Sequence, residues 1–205
     1  MKFYNSIGPN PRLVRMFMAE KGIEMEFEEI DLMGGENRRP PYTDKNPAGE
    51  MPALELDDGS VLAETVAICE YLEEMQPDPP LLGVDAESRA RSRMWVRRVE
   101  QRITDPLTSG FRNAEGQTLF KDRRHLIPQA ADDQKAIAQE GMAWLDEQME
   151  GRDFVAGDHL TLADIVLFSM LEFGAQVGQP TDPELGHIKA WFERVAARPS
   201  AEASQ

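Results

Sequence analysis

Glu64-Thr65 stands immediately before Val66-Ala67-Ile68-Cys69-Glu70-Tyr71-Leu72, whose apolar residues recur at helical spacing. Thr is a favoured N-cap, and an acid in a first turn complements the helix dipole. The same physics can do chemistry. A helix N-terminus with free N–H groups and a hydroxyl binds a carboxylate, and an adjacent carboxylate holds an ammonium. A second chemical cue is Met51-Pro52 ahead of Ala53-Leu54-Glu55-Leu56. Proline cannot donate to a sheet ladder, so it belongs at a strand's first residue or edge. A cis X-Pro bond there would turn the Met51 backbone outward. Asn10-Pro11 reads as a helix start, with Asn as N-cap and Pro at the first helical position. Arg38-Arg39 is the only basic pair in a long polar loop.

These residues need elements to hold them. Lys2–Asn5 reads as a strand, and Val14, Phe17, Met18 and Lys21 define a helix that Gly22 stops. Residues 26–31 read as a second strand, and 33–48 as a loop rich in Gly, Pro and Asn with room for one short helical turn. Asp57-Asp58-Gly59-Ser60 joins residues 53–56 to Val61-Leu62-Ala63 as a hairpin. The order is βαβ, loop, ββα. Beyond Asp78-Pro79-Pro80, apolar periodicity predicts only helices, over 88–104, 132–149, 162–173 and 184–197. The expected domains are residues 1–77, a linker 78–87, and a helical domain 88–205.

The chain has 205 residues, 22 Lys and Arg against 37 Asp and Glu, and a formal charge of −15. That charge argues against nucleic acid and anionic membranes as partners. One cysteine excludes an internal disulfide and a dithiol redox pair, and the three histidines have no metal spacing. No membrane-length apolar run or signal peptide is present, so a cytoplasmic location is the default expectation.

Four stretches carry a resemblance to the soluble glutathione S-transferases: Val14–Gly22, Asn46–Leu54, Leu62–Leu72 and Phe154–Ile165. The resemblance implies a thioredoxin-like α/β first domain, an all-α second domain, glutathione as co-substrate, no metal, and a homodimer serving detoxification. It implies that Met51-Pro52 is cis and that the Met51 backbone pairs with the cysteinyl amide of glutathione. It gives Glu64 and Thr65 the ammonium and carboxylate of the γ-glutamyl end, and makes Arg38 or Arg39 a partner for the glycine carboxylate. Relatives commonly place Tyr, Ser or Cys beside the sulfur. This sequence has Gly8-Pro9-Asn10-Pro11 there, so Asn10 is the candidate thiolate donor, with Ser6 and then Tyr4 as fallbacks. Glu50 stands where many relatives have Lys or Gln. Cys69, mid-helix, reads as buried and inert. Thr161-Leu162-Ala163-Asp164 resembles the family's capping box, a folding element. Arg89, Arg91, Arg93, Arg97, Arg98 and Arg102 share one helix: a solvated face, a dimer contact, or a lure for an anionic second substrate. The activity implied is attack of a glutathione thiolate on an electrophile or disulfide. The alternative is a non-catalytic regulatory or binding module on the same fold.

Overall fold

A computed structural model describes residues 1–205, which divide into two compact units, Met1–Leu81 with Pro199–Gln205, and Leu82–Arg198. No helix is long and apolar enough to cross a membrane.

The first unit is built on a four-stranded sheet of order β2-β1-β3-β4: β1 Lys2–Asn5, β2 Glu26–Glu29, β3 Ala53–Glu55 and β4 Val61–Ala63. β1 runs parallel to β2 and antiparallel to β3, and β3 is antiparallel to β4. Strand alternation sends Tyr4 and Ala53 to one face, where they meet Ile30, Tyr42 and Met51 in a buried cluster. Helix α1, Pro9–Lys21, buries Leu13, Val14, Met16 and Phe17, and packs on α3, Thr65–Met75, which buries Ile68, Cys69 and Leu72. Gly22 ends α1 in the left-handed region at φ 64°, where glycine carries no Cβ penalty. The loop after β2 holds a 3₁₀ turn, Glu36–Arg38, and one short helix, α2, Tyr42–Lys45. This βαβ-ββα arrangement is a thioredoxin-like domain.

The stretch after α3 is tied to this unit by a buried ion pair between Lys21 and Glu73. Lys21 Nζ also donates to the carbonyls of Pro77 (3.1 Å) and Pro79 (2.6 Å), and Glu73 accepts the Leu81 N–H at 3.0 Å. Those extra bonds satisfy groups that would make a bare buried pair costly. The structure also groups the last residues, expected with the helical domain, with the first unit. Helix α10, Pro199–Ala203, packs on α1, where Arg12 donates to Ala201 O (3.1 Å) and Arg15 to Ser204 O (3.0 Å).

The second unit is helical. Helix α4, Ala86–Val99, starts on an Asp85/Ser88 capping box and passes through a π-helical segment, Glu100–Thr104, into α5, Asp105–Asn113. Then come α6, Gln117–Phe120, α7, Ala131–Gln148, α8, Leu162–Gln176, and α9, Gly186–Ala196. α8 is buried almost all round, and Trp191 of α9 is fully buried. The capping box at Thr161 is present. The Asp164 carboxylate accepts from the Thr161 N–H and hydroxyl, the Val155 N–H and Trp191 Nε1, all within 2.8–2.9 Å. Burial pushes the Asp164 pKa up, and these four donors pull against that.

Candidate functional site

Sheet register assembles the site. Tyr4 pairs with Ala53, and Ala53 with Ala63. The residues just outside those pairs therefore share one edge of the sheet: Asn5-Ser6 leaving β1, Met51-Pro52 entering β3, and Glu64 leaving β4. Helices α1 and α3 both begin at this edge, so two helix N-termini face it.

Met51-Pro52 is cis, as the resemblance implies; Pro40-Pro41 and Asp78-Pro79 are cis as well, with no sequence cue. The Met51 side chain is buried against Tyr4, Tyr42 and Ile30, while its backbone N–H and C=O make no hydrogen bond within the chain. A residue just ahead of a strand, with a buried side chain and an open backbone, is a template for one more extended segment. Its approach is held firmly. Tyr42 Oη (2.7 Å) and Asn46 Nδ2 (2.9 Å) both donate to Glu50 O. Asn37 Nδ2 donates to Gly49 O at 2.5 Å, and Arg38 Nη1 to Ala48 O at 3.0 Å. Gly49 lies at φ 62°, and a Cβ there would come within 2.8 Å of Arg38 Nη1. Sequence reasoning missed Tyr42, Asn46 and Asn37. Their signal was the density of Tyr and Asn in a loop whose backbone needs partners.

At α3 the N-cap is Glu64, not Thr65. Ile68 N–H bonds Glu64 O at 3.0 Å, which makes Thr65 the first helical residue. Glu64 sits at φ 70°, ψ 120°, the only non-glycine residue with positive φ, and neither its carboxylate nor the Thr65 hydroxyl has a partner within the chain. Such a backbone costs a non-glycine residue about 1–3 kcal/mol. The N–H groups of Thr65, Val66 and Ala67 precede the first intrahelical bond and are free.

At α1 the N-cap is Gly8 at φ 111°, and Asn10 is the second helical residue rather than the cap. Proline tolerates either register, because first-turn N–H groups lack partners anyway. The consequence is chemical. Pro9 and Pro11 have no N–H, and Arg12 N–H bonds Gly8 O at 3.3 Å. Asn10 thus supplies the one free backbone donor of this helix end, and its half-buried side-chain amide makes no hydrogen bond. The fallback residues are committed elsewhere. Ser6 is buried and gives its proton to Ile30 O at 2.8 Å. Tyr4 donates to Glu55, and burial raises its pKa. The two arginines separate: Arg38 donates to Ala48 O and Gly49 O in the segment that leads into Met51, whereas Arg39 turns to Gly34 O at 3.1 Å. Cys69 is fully buried, and burial, with Glu70 and Glu73 nearby, pushes its thiol well up, so it is no nucleophile.

The N-terminal domain of glutathione S-transferases matches residues 7–75, and their C-terminal domain matches residues 118–199. Glutathione S-transferase 2 of Saccharomyces cerevisiae is 32% identical over 197 residues, 95% of this chain and 84% of that protein. A glutathione S-transferase domain-containing protein of Marinobacter aquaeolei has a crystal structure that superposes with a TM-score of 0.91 at 37% identity, over 98% of this chain and 99% of that one. Gtt2 of Saccharomyces cerevisiae superposes at 0.93 with 32% identity over the whole of both chains. This chain belongs to the glutathione S-transferase family.

Proposed function

We propose that the protein binds glutathione along this edge, converts it to a thiolate, and presents the sulfur to an electrophile or a disulfide. The observation that carries the reading is Glu64: a strained, unpaired carboxylate beside the open N-terminus of α3. Strain of this kind persists where the surroundings over-determine it, and it concentrates at ligand sites. In this reading Glu64 takes the ammonium of the γ-glutamyl group. Thr65, with the α3 N–H groups, takes its carboxylate. The cysteinyl amide pairs with the Met51 backbone, which Pro52 leaves open, and Arg38 is better positioned than Arg39 for the glycine carboxylate. The sulfur lies at the start of α1, where the Asn10 backbone N–H and side-chain amide favour its ionised form through charge-assisted hydrogen bonds. No residue there acts as a base. Rate enhancement comes from a larger thiolate fraction and from proximity. Family membership supports a homodimer, to be checked by analytical ultracentrifugation.

The test is titration calorimetry with glutathione on the parent chain, Glu64→Ala and Thr65→Ala, followed by turnover with aryl halides, peroxides and mixed disulfides. Each substitution should weaken binding by about one to two decades, the value of a charge-assisted hydrogen bond of roughly 1.5–3 kcal/mol. Unchanged affinity in both variants refutes the site. Binding without turnover on any of the three substrate types favours the non-catalytic module.

A further inference from the structure

The helical unit holds a second arrangement unrelated to thiol chemistry. Trp95 of α4 and Trp144 of α7 lie with ring centroids 6.0 Å apart. Arg98 and Arg152 sit over the Trp95 ring at 4.9 and 5.3 Å, and Arg102 over the Trp144 ring at 4.4 Å. Trp95 is buried, Arg98 and Trp144 are half-buried, and Arg102 and Arg152 are exposed. The chain carries 37 acids against 22 Lys and Arg, yet none of these three guanidinia has an ion pair. The contrast along the same helix is direct: Arg91 pairs with Glu87, and Arg97 with Glu100.

Backbone geometry supports the cluster. Arg102 lies in the π-helical segment, an insertion often found at functional sites. Gly141 lets α7 approach it: a Cβ there would fall 2.1 Å from Arg102 O. Trp144 follows Gly141 by three residues, on the same face of α7, so the close approach brings indole and guanidinium together.

A guanidinium stacked on an indole keeps its in-plane N–H fork free and already oriented. Three such groups without a counter-charge repel one another, and an anion relieves that repulsion. One carboxylate can be satisfied by a single fork. A phosphate dianion has oxygens enough for more than one fork, and a charge suited to several cations. We propose that Trp95, Trp144, Arg98, Arg102 and Arg152 form a binding site for a small phosphate-bearing molecule.

The experiment uses the full chain at low ionic strength. Inorganic phosphate and phenyl phosphate are titrated in parallel, with tryptophan fluorescence and thermal melting as readouts and chloride at matched ionic strength as the reference. Saturable quenching and a raised melting temperature with phosphate but not chloride are expected. Tighter binding of phenyl phosphate would identify an organic ester as the natural source, and equal binding the inorganic ion. Arg98→Gln combined with Arg102→Gln should weaken phosphate about tenfold or more, while Arg91→Gln should leave it unchanged. Saturating glutathione, which in the proposed reading fills the α3 N-terminus, must leave phosphate affinity unchanged, and that separates the two sites. Should the double variant not fold, Arg152→Gln alone, in the turn after α7, carries the same expectation of weakened binding. A response that chloride reproduces, or phosphate affinity untouched in the folded variants, overturns the proposal and leaves the arginines as packing over the indoles.

Discussion

Helices α8 and α3 begin in opposite ways. At α8 the chain closes its own helix end: Asp164 accepts four hydrogen bonds, and both it and Thr161 are buried. At α3 the end stays open, with a cap residue in the left-handed region, no side-chain cap and an unpaired carboxylate. A folding element satisfies its polar groups internally, whereas a binding element leaves them for the ligand. The start of α1 resembles that of α3, with no side-chain cap and one free donor. Substitutions at the closed end should therefore lose stability, and substitutions at the open ends should lose binding.

The largest effect is expected at the closed end. Asp164→Ala leaves the Val155 and Thr161 N–H groups and Trp191 Nε1 without an acceptor in a dry interior. Each unsatisfied group costs about 1–3 kcal/mol, so the sum should be about 4 kcal/mol or more. Asp164→Asn keeps one acceptor oxygen and should cost less. Urea unfolding followed by tryptophan fluorescence measures both. A loss below about 1 kcal/mol for Asp164→Ala would mean that α8 is not held by its cap.

The open end of α3 should respond with the opposite sign in stability. Glu64→Gly removes the penalty at φ 70° and should raise stability by up to about 1 kcal/mol, while glutathione affinity falls about 10- to 100-fold. Glu64→Ala should lose the affinity and keep the strain. If Glu64→Gly destabilises the protein and binds glutathione normally, Glu64 is a folding residue and the two helix ends do not differ in kind.

The sequence is legible where one residue type has one physical use. Thr161 and Asp164 read as a capping box because that spacing serves little else, and Gly22 reads as a helix stop for the same reason. It is ambiguous where two registers satisfy the same rule. Gly8-Pro9 and Asn10-Pro11 both offer a cap followed by proline, and only the Gly8 backbone at φ 111° selects the earlier start. Glu64-Thr65 gives the right place with the wrong cap, since a positive φ at glutamate has no sequence signature. Long-range partners are the least legible. Nothing local announces that Arg12 and Arg15 will hold residues 201 and 204, or that Tyr42 and Asn46 will hold the Glu50 carbonyl.

That last contact makes a smaller prediction. Tyr42→Phe keeps the ring against Tyr4, a T-shaped contact at 5.8 Å, and removes one of two donors to Glu50 O. It should weaken glutathione a few-fold, the value of about 0.5–1.5 kcal/mol for a neutral hydrogen bond. Unaltered affinity by calorimetry would show that Asn46 alone fixes the approach to Met51.

The smallest change in stability is expected at Asn10, and here the comparison is sharpest. As the second helical residue it caps nothing, so Asn10→Asp forfeits no hydrogen bond. Helix α1 has no acid in its first turn, and a carboxylate there should add a few tenths of a kcal/mol through the helix dipole. The thiol of bound glutathione should respond the other way. A carboxylate beside the sulfur repels the thiolate and replaces the side-chain donor, so the thiol pKa rises and the thiolate fraction near neutral pH falls. Asn10→Ser keeps a donor and should shift the titration less. Ultraviolet thiolate absorbance of the bound tripeptide against pH, alongside melting of each variant, reads both quantities. A thiol titration unmoved by Asn10→Asp, in a protein that binds glutathione normally, would remove the Asn10 side chain from the sulfur. With Pro9 and Pro11 lacking N–H groups, Arg12 N–H bonded to Gly8, and Ser6 and Tyr4 already donating elsewhere, the Asn10 backbone N–H, which the substitution keeps, would then be the donor left at that helix end to stabilise a thiolate.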